Sequence, residues 1–301
     1  MSHTQAQKEK TSAALSSVIA AIGLTTFKII VGVLTNSLGI LAEAAHSGLD
    51  LVAAAMTFFA VRVSDKPADR EHNFGHGKIE NLSALFETVL LLATSGWIIY
   101  EAVDRLFFTS AEVGVSAWSF LVMGTSIVID YSRSRILYRA AKKYNSQALE
   151  ADALHFSTDI WSSTVVIFGL IGLSVARAFP TLGWLRQADA VAALVVALIV
   201  IFISGELGWR TVTALLDTAP KGMSEKIRGI VEASAGVADC HAVRIRPSGA
   251  RWFVDLHVTM DGHLSLSESH AITEEIERKV QEIWPTSDVT VHAEPLEMKG
   301  T

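Results

Sequence analysis

The chain has 301 residues, half of them hydrophobic, with a formal net charge of −6 and one cysteine. Mean hydropathy is +0.37 and the apolar residues fall in long runs with short breaks, which excludes an ordinary soluble domain and describes a polytopic membrane protein. The acidic balance argues against a nucleic-acid partner, and the lone Cys240 excludes a disulfide framework or a thiolate cluster for a soft metal.

In chain order, six runs are long enough to cross about 30 Å of hydrocarbon: Leu15–Leu34, Leu38–Val63, Leu82–Phe108, Val115–Tyr138, Ala153–Phe179 and Ala188–Trp209. The first is full length and carries Lys28, so it is expected to stay as a span rather than be cleaved as a signal. The second contains "AEAAHSGLD", Ala42 to Asp50, and the fifth begins with "ADALHFSTD", Ala151 to Asp159. Both read Ala, acid, Ala, any residue, His, three residues, Asp. Residues four apart share a helix face, so each helix offers a two-toothed claw: His46 with Asp50, and His155 with Asp159. An aspartate at the bilayer centre costs about 2.5 to 3.5 kcal/mol, so these side chains need partners or a wet cavity. If the claws face each other, two nitrogens and two oxygens can close around zinc(II), and two carboxylates cancel the charge of one divalent cation. The bland alternative is polar glue between packed helices, which the repetition of the pattern disfavours. Small residues around both claws (Ala42, Ala44, Ala45, Gly48; Ala151, Ala153, Ser157) permit close helix approach, and Glu43 and Asp152 lie near the same faces as outer groups.

Between the second and third spans, "DREHNFGHGK" sets Asp69, His72 and His76 in a loop, a weak metal signal by itself. Lysine and arginine fix the orientation, since they gather on the cytoplasmic side. Lys8, Lys10, Arg62, Lys66, Arg70, Lys78, Arg133, Arg135, Arg139, Lys142 and Lys143 all fall on one side by this count, against Arg105, Arg177 and Arg186 on the other. Both termini are therefore expected in the cytoplasm, with the chain in the cell (inner) membrane. After Leu216 the apolar runs shorten, which divides the chain into a span domain, 1–216, and a soluble domain, 217–301, small enough to gain from pairing with a copy of itself. In "RWFVDLHVTM", alternation puts Trp252, Val254, Leu256, Val258 and Met260 on one strand face and His257 on the other; "DVTVHAEP" likewise separates Val289 and Val291 from His292 and Glu294. Between them "SLSESHAITEEIERKVQEIW" reads as an amphipathic helix with Ile272, Ile276, Val280 and Ile283 inward and His270 away from that stripe.

Through "NSLGILAEAAHSGLDL", "FGHGKIENL", "ADALHFSTDIWSS" and "VTVHAEP", nearly the whole chain resembles the cation diffusion facilitators, six-span exporters of divalent metal in exchange for protons. The resemblance implies an all-α six-helix transmembrane domain followed by a small cytoplasmic α+β, ferredoxin-like (metallochaperone-like) tail, working as a homodimer in membrane lipid. It implies that His46, Asp50, His155 and Asp159 form the transport site, that Asp69, His72 and His76 bind a second zinc, and that His241, His257, His270, His292 and Glu294 hold tail zinc ions of structural or regulatory use. Lys78 is implied to pair with Asp217. Two departures stand out: His46 replaces the first of two aspartates commonest in bacterial members, as in the zinc-preferring branch, and Glu294 stands where an aspartate is usual. The resulting expectation is zinc/proton antiport by alternating access and no enzymatic activity. The alternatives are an exporter of broader specificity for iron, cadmium, cobalt or manganese, a membrane metal sensor, and an intramembrane zinc hydrolase, the last lacking an HExxH motif.

Overall fold

The structure, a computed structural model, describes residues 3–107, 117–178 and 185–296. They form two compact units: one from residues up to Lys66 together with Ile79–Thr211, the other from Pro67–Lys78 together with Val212 onward. The loop between the second and third helices thus goes with the tail, a division that a linear boundary at residue 216 does not express.

The first unit is built from six long helices, α1 (His3–Leu34), α2 (Leu38–Ser64), α3 (Lys78–Phe107), α4 (Ala117–Tyr144), α5 (Gln147–Ala178) and α6 (Leu185–Leu215), except that Lys78, the first residue of α3, and the last turn of α6 after Thr211 belong to the second. Among the described residues, four segments are long and apolar enough to cross a membrane: Gln5–Leu34, Glu43–Ser64, Lys78–Asp104 and Ala190–Leu215. Helices α4 and α5 are as long, but they carry charge within: Asp130 and Arg133 on α4, Asp152 and Asp159 on α5. Arg133 corrects the positive-charge count made from sequence. It is no loop residue but is buried in α4 and paired with Asp130 at 3.2 Å.

Two of the helix ends are alike. Asn36 and Asn145 adopt left-handed backbone (φ 49° and 51°), closing α1 and α4, and the N–H of the following serine reaches back to Gly32 O (3.0 Å) or Ala141 O (3.1 Å). Ser37 and Ser146 then accept hydrogen bonds from Ile40 N and Leu149 N, each at 3.4 Å, and start α2 and α5. Each serine stands nine residues before its claw histidine, so the sequence repeat extends to a helix hairpin with its own turn chemistry. Helices α1, α2, α4 and α5 pack together through an alanine-rich interior with Leu137, Leu149 and Phe156, while α3 and α6 meet α5 through Ala84, Ala151 and Leu207. Small side chains there bring polar ones close.

The second unit runs α7 (Met223–Glu232), β1 (Asp239–Ser248), β2 (Arg251–Met260), α8 (Leu266–Ile283) and β3 (Ser287–Pro295). The sheet order is β1-β2-β3, antiparallel then parallel. This is the β-α-β-β-α-β order without its first strand among the described residues. Val254, Leu256, Val258 and Met260 are buried against Ile227 and Val231 of α7 and Ile276 and Val280 of α8. Ile283, expected inward, is 53% exposed; α8 ends there, and Trp284 packs on the core instead. The loop docks by close backbone approach: a Cβ on Gly77 would lie 2.3 Å from Ser248 O, and the Arg246 guanidinium sits 3.4 Å over the Phe74 ring.

A capping box starts α8, with Ser265 Oγ accepting from Glu268 N and Glu268 Oε2 accepting from Ser265 N at 2.8 Å. The Ser265 hydroxyl, then its backbone N–H, hold the Glu268 carboxyl below its ordinary value. A depressed carboxyl contributes stability that is complete above the ordinary carboxylate range and lost as pH falls through the lowered folded value. Ser265→Ala is expected to cost about 1 kcal/mol of helix stability at neutral pH. The penalty should shrink in acid, and hydrogen exchange of the α8 amides reads both.

Candidate metal centre

The first claw stands on α2 and the second on α5. His155 Nε2 lies 3.1 Å from Asp50 Oδ1 and 3.6 Å from Asp159 Oδ2. Asp50, His155 and Asp159 each offer one ligand atom within 4.8 Å of the others, and Asp50 and His155 are buried. His46 stands one turn back on α2: its Nε2 is 3.9 Å from Asp50 Oδ1 and its side chain is 42% exposed. The structure therefore brings three of the four predicted groups into one cluster and leaves His46 at its rim. An imidazole between two carboxylates is a donor set of nitrogen and oxygen that suits a divalent cation of borderline hardness, and the ion's charge would offset both acids.

Neither outer acid joins that cluster. Asp152 is fully buried and accepts from Ser17 Oγ at 3.3 Å, while Glu43 pairs with Lys28 at 3.3 Å. Lys28 itself is buried and donates to Ser47 Oγ at 2.8 Å. Sequence reading missed Glu87, on α3, which is fully buried and accepts from the Thr57 hydroxyl, and the buried pair of Asp130 with Arg133. A signal was available: a lone ionisable residue inside a long apolar run is functional by default.

In the loop, Asp69, His72 and His76 form a second ligand-like group. Asp69 Oδ1 is 3.3 Å from His72 Nδ1 and Oδ2 is 3.4 Å from His76 Nε2, with the two rings 4.2 Å apart. The backbone N–H of His72 donates to Asp69 at 2.7 Å and, with that of Glu71, holds the carboxyl below its ordinary value. Gly75, at φ 75°, turns the chain so that His76 folds under.

In the tail, strand register does the assembling. His241 pairs across from His257, and His257 from His292, so three imidazoles stand in a row over three strands. A bulge after His241, with Ala242 at φ 49°, breaks the ladder beside that row. Glu294, two residues beyond His292 on the same face, places one oxygen 2.8 Å from His257 Nδ1 and the other 3.2 Å from His241 Nε2. The His257 hydrogen bond and the neighbouring imidazoles lower its carboxyl. His241, His257 and Glu294 form the third ligand-like group; His292 Nε2 is 3.8 Å from Glu294 Oε1. His270 is not brought to this group: it is exposed on α8 beside Glu274 at 3.5 Å. Lys78 Nζ meets Asp217 Oδ1 at 2.7 Å and also reaches Leu215 O at 3.4 Å, a cation at the carboxyl end of α6.

Residues 14–216 match the family model described as the cation efflux transmembrane domain, and residues 219–296 the one described as the cation efflux protein, cytoplasmic domain. A cation-efflux pump FieF of Salmonella arizonae is 31% identical over 288 residues, covering 94% of this chain and 92% of the relative. That of Salmonella schwarzengrund is 31% identical over 294 residues, covering 96% and 94%. Among solved structures, the Zn form of CzrB covers 27% of this chain and 96% of its own at 27% identity and a TM-score of 0.26. The metal-bound C-terminal domain of the CzcD transporter from Thermotoga maritima covers 25% and 90% at 30% identity and a TM-score of 0.24.

Proposed function

The chain belongs to the cation efflux family of membrane transporters, and on that premise we propose that it exports zinc(II) from the cytoplasm in exchange for protons. The observation that carries the reading is His155 Nε2 held between Asp50 and Asp159, on two different helices and out of bulk solvent. All six long helices cross the inner membrane, both termini lie in the cytoplasm, and the tail folds as a ferredoxin-like module through which two copies pair. His46, at 3.9 Å from Asp50, completes a four-ligand set by a rotamer change when the cation binds. Metal and proton compete for the same lone pairs, so protons arriving from outside displace the cation. Alternate exposure of the site to either side turns this competition into exchange.

The rim position of His46 favours a second reading, an exporter of broader specificity for iron, cobalt, cadmium or manganese, because two carboxylates and one imidazole are less selective than a set with two imidazoles. A competition series of metal uptake by purified protein in proteoliposomes separates the two. Zinc uptake resisting the other ions supports the first; equal displacement by manganese and cadmium supports the second.

The loop and tail groups bind zinc outside the translocation path, as structural or regulatory ions. Replacing His72 and His76 together by Ala is expected to remove about one bound metal per protomer while transport persists at reduced rate. Equilibrium dialysis against zinc checks it, and an unchanged metal content would count against the loop site.

A further inference from the structure

Among the described residues, two acids beside the transport cluster make no direct ion pair. Glu87 and Asp152 are each fully buried, and each leaves one oxygen, Glu87 Oε2 and Asp152 Oδ1, without a hydrogen-bond partner. Their other oxygens take hydroxyl donors only: Thr57 of α2 for Glu87, and Ser17 of α1 for Asp152 at 3.3 Å. His155 Nδ1, buried on the same helix as Asp152, is also unpartnered. The nearby cations make their direct ion pairs with other acids, although the Arg133 charge also acts on Asp152 through space. Arg133 pairs with Asp130 at 3.2 Å and reaches Asp152 only through Ser17 Oγ, at 3.1 Å. Lys28 pairs with Glu43, and Lys10 with Asp65 and Glu80.

The position of the two acids is set by the helices. Ser64 at the end of α2 and Ser146 before α5 both donate to Glu80 at the start of α3, so α2 and α5 run antiparallel at that end. Thr57, which holds Glu87, is two turns from Asp50 toward Glu80, and Asp152 is one turn from His155 in the same direction. Glu80 and Glu87 are seven apart on α3, one face and about 10 Å. A file of buried acids therefore runs from the metal cluster to the end where Lys66 leads into the loop. Facing Glu87 are Thr57 of α2 and Asp152 and His155 of α5; facing Asp152 are Ser17 of α1, Asp50 of α2, Arg133 of α4 and His155.

We propose that Glu87 and Asp152 form a proton-binding station separate from the metal ligands, which holds protons while the cation occupies the cluster and passes them toward Glu80. This rests on the reading of the chain as a proton-coupled exporter. The ligand is a proton rather than a second metal, since a bound zinc takes at least three protein ligands and neither acid joins a ligand-like group among the described residues. With zinc neutralising Asp50 and Asp159, a buried carboxylate without a direct ion pair lowers its cost by taking up a proton. Protons held on these carboxyls are released at the Glu80 end, so no charge is stranded.

The test uses the full-length protein with Glu87→Gln, Asp152→Asn and the double variant. In detergent, the zinc-loaded parent is expected to show the infrared C=O stretch of protonated carboxyl groups, reduced in each single variant and lost in the double. In proteoliposomes, protons moved per zinc should fall by about half or more in the double variant, with zinc affinity changed by less than about threefold because the ligands are kept. Should the double variant not fold, the two single variants carry the infrared test. A parent that moves no zinc would overturn the export reading and leave the infrared result standing. A parent that exchanges zinc for protons, with unchanged proton ratio and carboxyl signal in the variants, would overturn this proposal alone.

Discussion

Asp159→Ala is expected to abolish zinc transport. Asp159 supplies one of two carboxylates against His155 Nε2, at 3.6 Å, and its loss leaves an arriving divalent cation with Asp50 as the one acid of the ligand group among the described residues. A site of one carboxylate and imidazole carries net positive charge when loaded, in surroundings that solvate charge poorly. Removing an outer partner of a metal ligand already costs roughly 10- to 100-fold in affinity or activity, and removing the ligand itself should cost more. Zinc uptake by reconstituted variant, normalised to inserted protein, reads the effect. Near-normal uptake would remove Asp159 from the site.

His46→Asp is expected to change selectivity more than rate. His46 stands at the rim, 3.9 Å from Asp50 and partly exposed, so an aspartate fits there without disturbing the three groups already assembled. The substitution trades an imidazole for a carboxylate, giving three acids and one histidine. That set is more negative and accommodates harder cations such as manganese better, and cadmium with its looser geometric demand. The ratio of zinc to manganese uptake should fall on the order of tenfold, about 1.4 kcal/mol. The pH profile should move as well, because the donor set has exchanged an imidazole for a carboxylate. Unchanged ratios would mean that His46 does not set selectivity.

What the sequence made legible was what short-range physics determines. The apolar stretches became helices, and the spacing of four put each histidine and aspartate on one face. Alternation in β2 told Leu256 from His257, and the structure buries the first and leaves the second half-exposed. The row of His241, His257 and His292 was not legible, since it depends on register across three strands and on the bulge at Ala242. Nor could the loop be assigned to the tail, because Phe74 meets Arg246 across more than half the chain. The turn chemistry of Asn36–Ser37 and Asn145–Ser146 is written in the sequence, and it sets both claws at the same depth along their helices. Charge inside the helices misled most. A positive-charge count places Arg133 in a loop and gives Glu87 no role, because it takes no account of pairing with Asp130 or of burial against Thr57.

The central claim, exchange of zinc for protons through the cluster of Asp50, His155 and Asp159, is tested most directly by the pH inside sealed proteoliposomes. An imposed gradient, acid within, should drive zinc into vesicles containing the protein and collapse as zinc enters, in vesicles with the parent and not in those with Asp159→Ala. Zinc entry at the same rate with and without the gradient, or a gradient that zinc leaves untouched, would contradict it.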